Sequence, residues 1–483
     1  MNLPMVQRIL GLMLIMFSLT MLPPIGVSLA YGDGHWHPFL SAMLFIATVG
    51  LALWLPVRRV QRDLRLRDGF LVVAVFWLFL GLAGATPLLI SDVPALSFTD
   101  AVFEAVSGFT TTGATVIVGL DELPKSILYY RQQIQWLGGM GIIVLAVALM
   151  PVLGIGGMSL YKAETPGPFK DQKLTPRITQ TAKALWIIYA ALTALCALGY
   201  KLAGMDLFDA IGHAFSTLST GGFSPHDASF AHFDSAAIDA IATVFMFLGG
   251  ASFALHFLAI RSHDPRIYWH DTEFKAYFWL VAVLIAGTTI YIWLHGEFET
   301  LPLALRHASF QVVSIQTSTG FLTTGFAQWP GALPALLMLL TLVCGCAGST
   351  SGGMKVIRWL IVFRQGVAEL TRLVHPSAEI PVKLAGRPVP QRIVGGIAGF
   401  FAMYFIVFAA LMFLLMTFGL DQVTAWSAIA TCINNVGPGL GDVTATFRGV
   451  PDAAKWVCAI AMLVGRVEIF TFVLLLTPAF WRP

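Results

Sequence analysis

Four short polar strings, each built around glycine, hold the residues best placed to do chemistry in this 483-residue chain. They are TTTGAT at 110–115, LSTGGF at 218–223, TSTGFL at 317–322 and NNVGPG at 434–439. Aligned on the glycine they give Gly113, Gly221, Gly320 and Gly437, about a hundred residues apart, the period of a repeated unit. Main-chain carbonyls and threonine hydroxyls are neutral oxygen ligands, the kind that can replace the hydration shell of an alkali cation. Glycine opens backbone conformations closed to other residues and puts no side chain in the path. One Thr-Gly pair is ordinary loop punctuation; three, with a fourth glycine string at a similar interval, point to one shared site.

Other candidate chemistry is thinner. Cys344 and Cys346 form a CxC, but no further thiol or histidine stands near to complete a metal site. The five cysteines all fall in apolar stretches, so no disulfide framework is expected. Gly348 and Gly353 have the spacing of a phosphate loop, yet Met354 takes the lysine position and Lys355 comes one residue late. His35 and His37 flank Trp36 as solvated loop residues, and His256 is expected as a satisfied core histidine. A membrane enzyme would need a His/Glu metal cluster or an Asp pair at depth, and the sequence offers neither.

The elements that must position the strings follow from composition. Apolar residues make up 57% of the chain and charged residues 11%, against roughly 25% charged in a soluble domain. A soluble enzyme is excluded, and the net charge of +3 implies no nucleic-acid partner. Spans of about 20 apolar residues fall near 10–30, 38–56, 70–90, 133–152, 184–204, 237–260, 276–295, 332–363, 393–416 and 454–478. The first of them imitates a secretory signal peptide but is long enough to span, and it reads as half of an uncleaved hairpin. Basic residues crowd into the connections holding Arg58 to Arg67, Lys162 to Lys183, Arg261 to Lys275 and Lys355 to Arg392. Each follows an even-numbered span, so positive-inside bias puts all four, and both termini, in the cytoplasm. On the other side, the segments 100–112, 206–220, 300–319 and 421–436 open with an acid or threonine. They are too short to cross and return, and fit re-entrant half-helices with acid-capped N-termini. The partially negative C-terminal ends of such half-helices favour a cation.

Span, half-helix, glycine string and span thus recur four times after the hairpin. With SGFTTTGAT at 107–115, STLSTGGFSPHD at 216–227, QTSTGF at 316–321, CAGSTSGGMK at 346–355 and NNVGPGLG at 434–441, the chain resembles the Trk/Ktr/HKT superfamily of potassium transporters, in its bacterial Trk branch. The likeness covers essentially the whole chain. It implies an all-α integral membrane fold of four repeats around a pore: a hairpin at 1–68, then repeats at 69–160, 161–262, 263–366 and 367–483. It also implies a potassium filter of Thr111, Thr112 and Gly113; Ser219, Thr220 and Gly221; Ser318, Thr319 and Gly320; and Asn435, Val436 and Gly437. In this superfamily, glycine in all four repeats accompanies potassium preference, whereas serine in the first accompanies sodium transport. No cofactor is expected in this chain. The resemblance further implies a homodimer in the bacterial inner membrane and a TrkA-like cytosolic ring that binds NAD or adenine nucleotides. The surfaces most open to that ring are 161–183 and 355–392.

The eighth span breaks into CGCAGSTSGG at 344–353. Such a run cannot face lipid without stranding backbone polar groups, so Gly345, Gly348, Ser349, Thr350, Ser351, Gly352 and Gly353 are expected in a water-filled cavity beneath the strings. The family has an intramembrane gating loop there. Arg466, inside the last span, is expected to face the same cavity, where its charge would raise the barrier to a cation, the alternative being a salt bridge to Glu468 or another acid. In the family an arginine at this position contributes to the constriction. Gly138-Gly139 and Gly249-Gly250 sit at corresponding places, as packing contacts or as partners of the gate. A carrier coupled to protons or sodium remains the alternative to channel-like flow, although inverted repeats are absent from the pattern.

Overall fold

The computed structural model describes residues 2–60, 66–153, 178–467 and 469–482. Arg62, Arg65, the connection 161–177 and Glu468 lie outside the described residues. The fold is that of an all-α membrane protein with multiple spans, the one strand pair among the described residues being a short hairpin of Lys383–Leu384 with Arg387–Pro388. Among the described residues six helices are long and apolar enough to cross a membrane, and a bent pair brings this to seven. Each of the ten segments read from the sequence contains helix, but three of them are interrupted.

Leu3–Ser18 and Leu22–Tyr31 form the first arm of the opening hairpin, and Trp36–Trp54 returns. The arms touch through Gly11 and Gly50: a methyl on Gly11 would sit 2.8 Å from the Gly50 carbonyl oxygen. Small residues at a crossing let backbones approach this closely in lipid. The first spans of the four repeats are Leu66–Ile90, Ile178–Leu202, Thr272–Leu294 and Gln391–Thr417. Large apolar side chains such as Leu198, Val283 and Phe413 stand exposed on them, as expected of surfaces that meet lipid rather than water.

Each first span leads to a short buried helix: Phe98–Phe109, Leu207–Leu218, Leu301–Gln316 and Gln422–Ile433. Asp206, Thr300 and Asp421 cap the last three, their side chains accepting backbone N–H groups one turn on. In the first, Ser97 is the cap and Asp100 stands inside the first turn, donating its own N–H to Ser97 Oγ over 3.1 Å. Three of the four short helices are therefore capped by the residue expected from the sequence, and the fourth by a serine three residues before it.

The second spans are the irregular ones. Lys125–Leu153 leaves helical geometry at Gly141. Ala236–Gly249 and Phe253–Ser262 meet at 94°. Leu333–Leu340 and Val356–Val374 are separated by the run of small residues, while Asp452–Val467 and Ile469–Leu476 are described on either side of residue 468. Breaks cost backbone hydrogen bonds, which at membrane depth must be recovered inside the protein. Phe253 N–H does so by donating to the Gly348 carbonyl at 3.0 Å, so the break in repeat 3 plugs the break in repeat 2.

Candidate ion-binding ring

The same turn follows each buried short helix. Thr112, Gly221, Thr319 and Val436 each donate their N–H to the carbonyl five residues back, on Ser107, Ser216, Ser314 and Thr431, over 2.7–2.9 Å. The residue before each of these, Thr111, Thr220, Ser318 or Asn435, has φ of 52–56°. The residue after each is a glycine with positive φ: Gly113 at 81°, Gly222 at 82°, Gly320 at 83° and Gly437 at 104°. Left-handed backbone is natural for glycine and strained for β-branched Thr111 and Thr220, at a cost of order 1–3 kcal/mol each. Only surrounding structure can hold it, and Thr111, Thr220, Ser318 and Asn435 are all fully buried.

These dihedrals correct the register in repeat 2. The glycine equivalent to Gly113, Gly320 and Gly437 is Gly222, not Gly221; Gly221 matches Thr112, Thr319 and Val436. Ser219, Thr220 and Gly221 therefore each sit one place earlier than the alignment on the first glycine of the doublet puts them. The contacts between strings give the same register. A methyl on Gly113 would collide with the Gly221 carbonyl, one on Gly222 with that of Thr319, and one on Gly320 with that of Val436. A methyl on Gly437 would come 2.7 Å from the Thr112 carbonyl oxygen. The chain of contacts closes on itself, so the four strings form one ring in repeat order.

Side chains behind the ring pin it. The Gln135 carboxamide donates to the Gly221 carbonyl at 2.6 Å and accepts from Phe223 N–H at 3.0 Å. Asn435 Nδ2 donates to Thr112 Oγ1 at 2.9 Å and to the Met462 carbonyl at 3.1 Å, joining repeats 4 and 1. Thr110 pairs with Thr112, and Thr317 with Thr319, each at 2.7 Å between hydroxyl oxygens. Chemically, the ring offers carbonyl and hydroxyl oxygens with no fixed charge, at the C-terminal ends of four short helices whose dipoles favour a cation.

The segment 344–353 lies against the ring. Gly352 N–H donates to Ser318 Oγ at 2.7 Å, and Thr350 Oγ1 lies 2.9 Å from the Leu218 carbonyl and 3.1 Å from that of Gly249. Cys346 N–H donates to the Gly250 carbonyl at 2.8 Å, and methyl groups on Gly345 or Gly353 would collide with Gly250 and Cys344. Ser349 and Ser351 pair at 2.9 Å, and the buried Lys355 ammonium reaches both hydroxyls. Glu273, at the start of a first span, accepts Ala347 N–H at 2.8 Å and Ile357 N–H at 3.1 Å, holding both ends of the segment.

Arg466 reaches this cluster. Its guanidinium donates to the Thr350 carbonyl at 3.1 Å and to the Gly138 and Gly139 carbonyls, and it lies over the Trp77 ring. The repeats explain its position. A methyl on Gly138 or Gly465 would collide with the last carbonyl of its repeat's short helix, and one on Gly249 would lie 3.3 Å from the Leu218 carbonyl. The next residue is Gly139, Gly250 or Arg466. The arginine thus occupies the place where repeats 1 and 2 have glycine. His256 is buried, with Tyr268 Oη at 2.7 Å and the Leu248 carbonyl at 3.0 Å, which satisfies both ring nitrogens.

Sequence reasoning passed over Gln135, Glu273 and a buried Arg131–Glu104 pair. It also passed over two ion pairs between repeats, Lys455 with Asp100 at 2.6 Å and Arg306 with Asp239 at 2.7 Å. A polar or charged residue within an apolar run was the available signal for each.

Comparison with known proteins bears on the family and the fold. Residues 36–482 match the TrkH family model, described as a cation transport protein. The chain is 54% identical to the Trk system potassium uptake protein TrkH of Halomonas elongata, covering 100% of both chains. It is 47% identical to the protein of that name from Escherichia coli K12, over 99% of each. The crystal structure of the potassium transporter TrkH from Vibrio parahaemolyticus superposes with a TM-score of 0.92, at 51% identity and full coverage of both chains. With the four-string ring and this similarity along its whole length, the chain belongs to the TrkH family of cation transport proteins.

Proposed function

We propose that the chain takes up potassium through the ring of four strings, which acts as a selectivity filter. The observation that carries this reading is the closed cycle of contacts among Gly113, Gly222, Gly320 and Gly437, which gathers carbonyl oxygens from every repeat around one centre. A monovalent cation stripped of water needs such a cage of neutral oxygens, and rings of backbone carbonyls supply it. The segment 344–353 is the gate, and Arg466 latches it against the cavity side of the filter. A single positive charge there also opposes cation passage while the latch is closed.

The basic connections mark the cytoplasmic side by positive-inside bias, which puts both termini inside and the filter toward the outside of a bacterial inner membrane. Control by nucleotide belongs to a TrkA-like ring docked on 161–183 and 355–392, with a second copy of the chain completing a homodimer. The relatives' names place them in a Trk system, which supports a multi-component assembly.

Flux of potassium and sodium through the purified protein in liposomes tests the filter. Wild type is expected to pass potassium in preference to sodium, and Gly113→Ser to lose most of that preference. The seryl side chain would press on the Gly221 carbonyl, and φ of 81° disfavours it. Equal permeation of both ions through both proteins would remove the assignment.

A further inference from the structure

Arg131 and Glu104 are 1% and 0% exposed, and their side chains meet at 2.8 Å. Glu104 also accepts from Val116 N–H at 2.9 Å and from the Thr115 hydroxyl at 2.9 and 3.0 Å. Arg131 donates to the Ser224 carbonyl at 3.2 Å and to Thr115 Oγ1 at 3.1 Å, and lies 4.3 Å from the Phe223 ring centre. Thr115 ends the filter string of repeat 1 and Val116 follows it, and Phe223 ends that of repeat 2 and Ser224 follows it. One buried ion pair therefore ties the short helix and string of repeat 1 to the string of repeat 2.

The other repeats show what is special here. Five residues before the end of the short helix stand Glu104, His213, Gln311 and Ala428. His213 reaches Ser224 Oγ at 3.0 Å, and Gln311 reaches the Thr324 carbonyl at 3.3 Å, so this position braces the exit of the string in three repeats. Seven residues before Gly138, Gly249 and Gly465 stand Arg131, Ala242 and Cys458. Opposite charges at these two positions occur only in repeat 1 among the described residues, and the arginine carries the link across to repeat 2.

We propose that the Arg131–Glu104 pair is a positioning device for the filter, and that ion discrimination depends on its charge-assisted hydrogen bonds. This rests on the strings being the filter. Paired, the two charges cancel and the cation sees little of them. The planar guanidinium fork serves Glu104, Thr115 and Ser224 together, which a lysine ammonium on a flexible stem cannot do. Losing one such bond frees Ser224 or Thr115 and lets the ring breathe, so a smaller or differently hydrated ion is no longer refused. Replacing Glu104 alone has a second consequence: it leaves a buried positive charge beside the path and lowers flux of every cation.

The test is potassium and sodium flux in liposomes for wild type, Arg131→Lys, Glu104→Gln and Thr115→Val, at equal amounts of monodisperse protein. Arg131→Lys is expected to keep flux and lower the potassium-to-sodium ratio by about tenfold, the size of one lost charge-assisted hydrogen bond. Glu104→Gln is expected to lower both the ratio and total flux. A purely structural role would lower the yield of folded protein and leave the ratio of what folds unchanged, and that result overturns the proposal. Should both pair variants fail to fold, Thr115→Val decides, since it removes only the shared hydroxyl; an unaltered ratio there overturns it as well. A wild type that fails to discriminate sinks the filter reading itself, whereas a discriminating wild type with unaffected variants sinks only this inference.

Discussion

Gly222 has φ of 82°, and its α-carbon lies so close to the Thr319 carbonyl that an added methyl would collide with it. Gly221 has no left-handed backbone, and an added methyl would meet the end of the Gln135 side chain at 2.5–2.6 Å. The carboxamide is the far end of a side chain and can shift at some cost to its bonds with Gly221 and Phe223, whereas a ring carbonyl cannot shift without opening the ring. Gly222→Ala is therefore expected to cut potassium flux by at least roughly tenfold and Gly221→Ala by no more than about threefold. Liposome flux of the two variants side by side checks this, and the reverse order would restore the register with Gly221 at the filter position. A doublet of glycines in LSTGGF cannot reveal which one takes the strained conformation. That choice is made by the five-residue-back hydrogen bond from Gly221 N–H to the Ser216 carbonyl and by packing against the next string, neither of which one repeat's residues encode.

At the scale of elements, the run 344–353 was legible as backbone that lipid would not accept, and its small residues do lie against the ring. Its partners were not legible, because the Leu218, Gly249 and Gly250 carbonyls are main-chain atoms of another repeat and carry no residue signature. Nor was the direction of Arg466, whose ligands are again carbonyls, on Gly138, Gly139 and Thr350. Thr350→Val removes one hydroxyl bond between the segment 344–353 and the short helix of repeat 2, worth about 1 kcal/mol; on the proposed gating role it is expected to raise basal potassium flux severalfold. Arg466→Ala removes several charge-assisted bonds at about 1.5–3 kcal/mol each, and its basal flux is expected to be higher still. Flux in liposomes without any partner protein is the measurement, and unchanged or reduced flux in both variants would show that neither contact holds the gate shut.

Across the whole molecule, the fourfold succession of span, short helix, string and span was plain from the periodic strings, while the seams between repeats were hidden. Arg306 and Asp239 are 67 residues apart and Lys455 and Asp100 are 355 apart, and no local pattern pairs them. The seam between repeats 1 and 2 has a titratable clamp in its outer loops. His226 hydrogen-bonds Asp121 and Asp209 through its two ring nitrogens and stacks on His232 at 3.6 Å, with His213 at 6.3 Å. Burial opposes a charge on His226, but the two carboxylates outweigh it and hold its pKa above the ordinary value. The clamp's stabilisation is then complete below the unfolded value of about 6.5 and is lost as pH rises through the higher folded one. Thermal unfolding in detergent should show a midpoint that falls from about pH 6 to about pH 9 in wild type and much less in His226→Gln. Identical slopes would remove the clamp.

Joining four quarters in one polypeptide frees each corner to differ from the rest. Where two corners have a bare α-carbon beside the ring, the last has a guanidinium. Four identical subunits could not make that choice singly: one substitution would plant four mutually repelling cations around the axis. One cation at one corner is tolerable, because neighbouring carbonyls accept hydrogen bonds from it, and a single arm can withdraw to one side. The asymmetry of the covalent chain is thus what makes a single-arm bolt physically available.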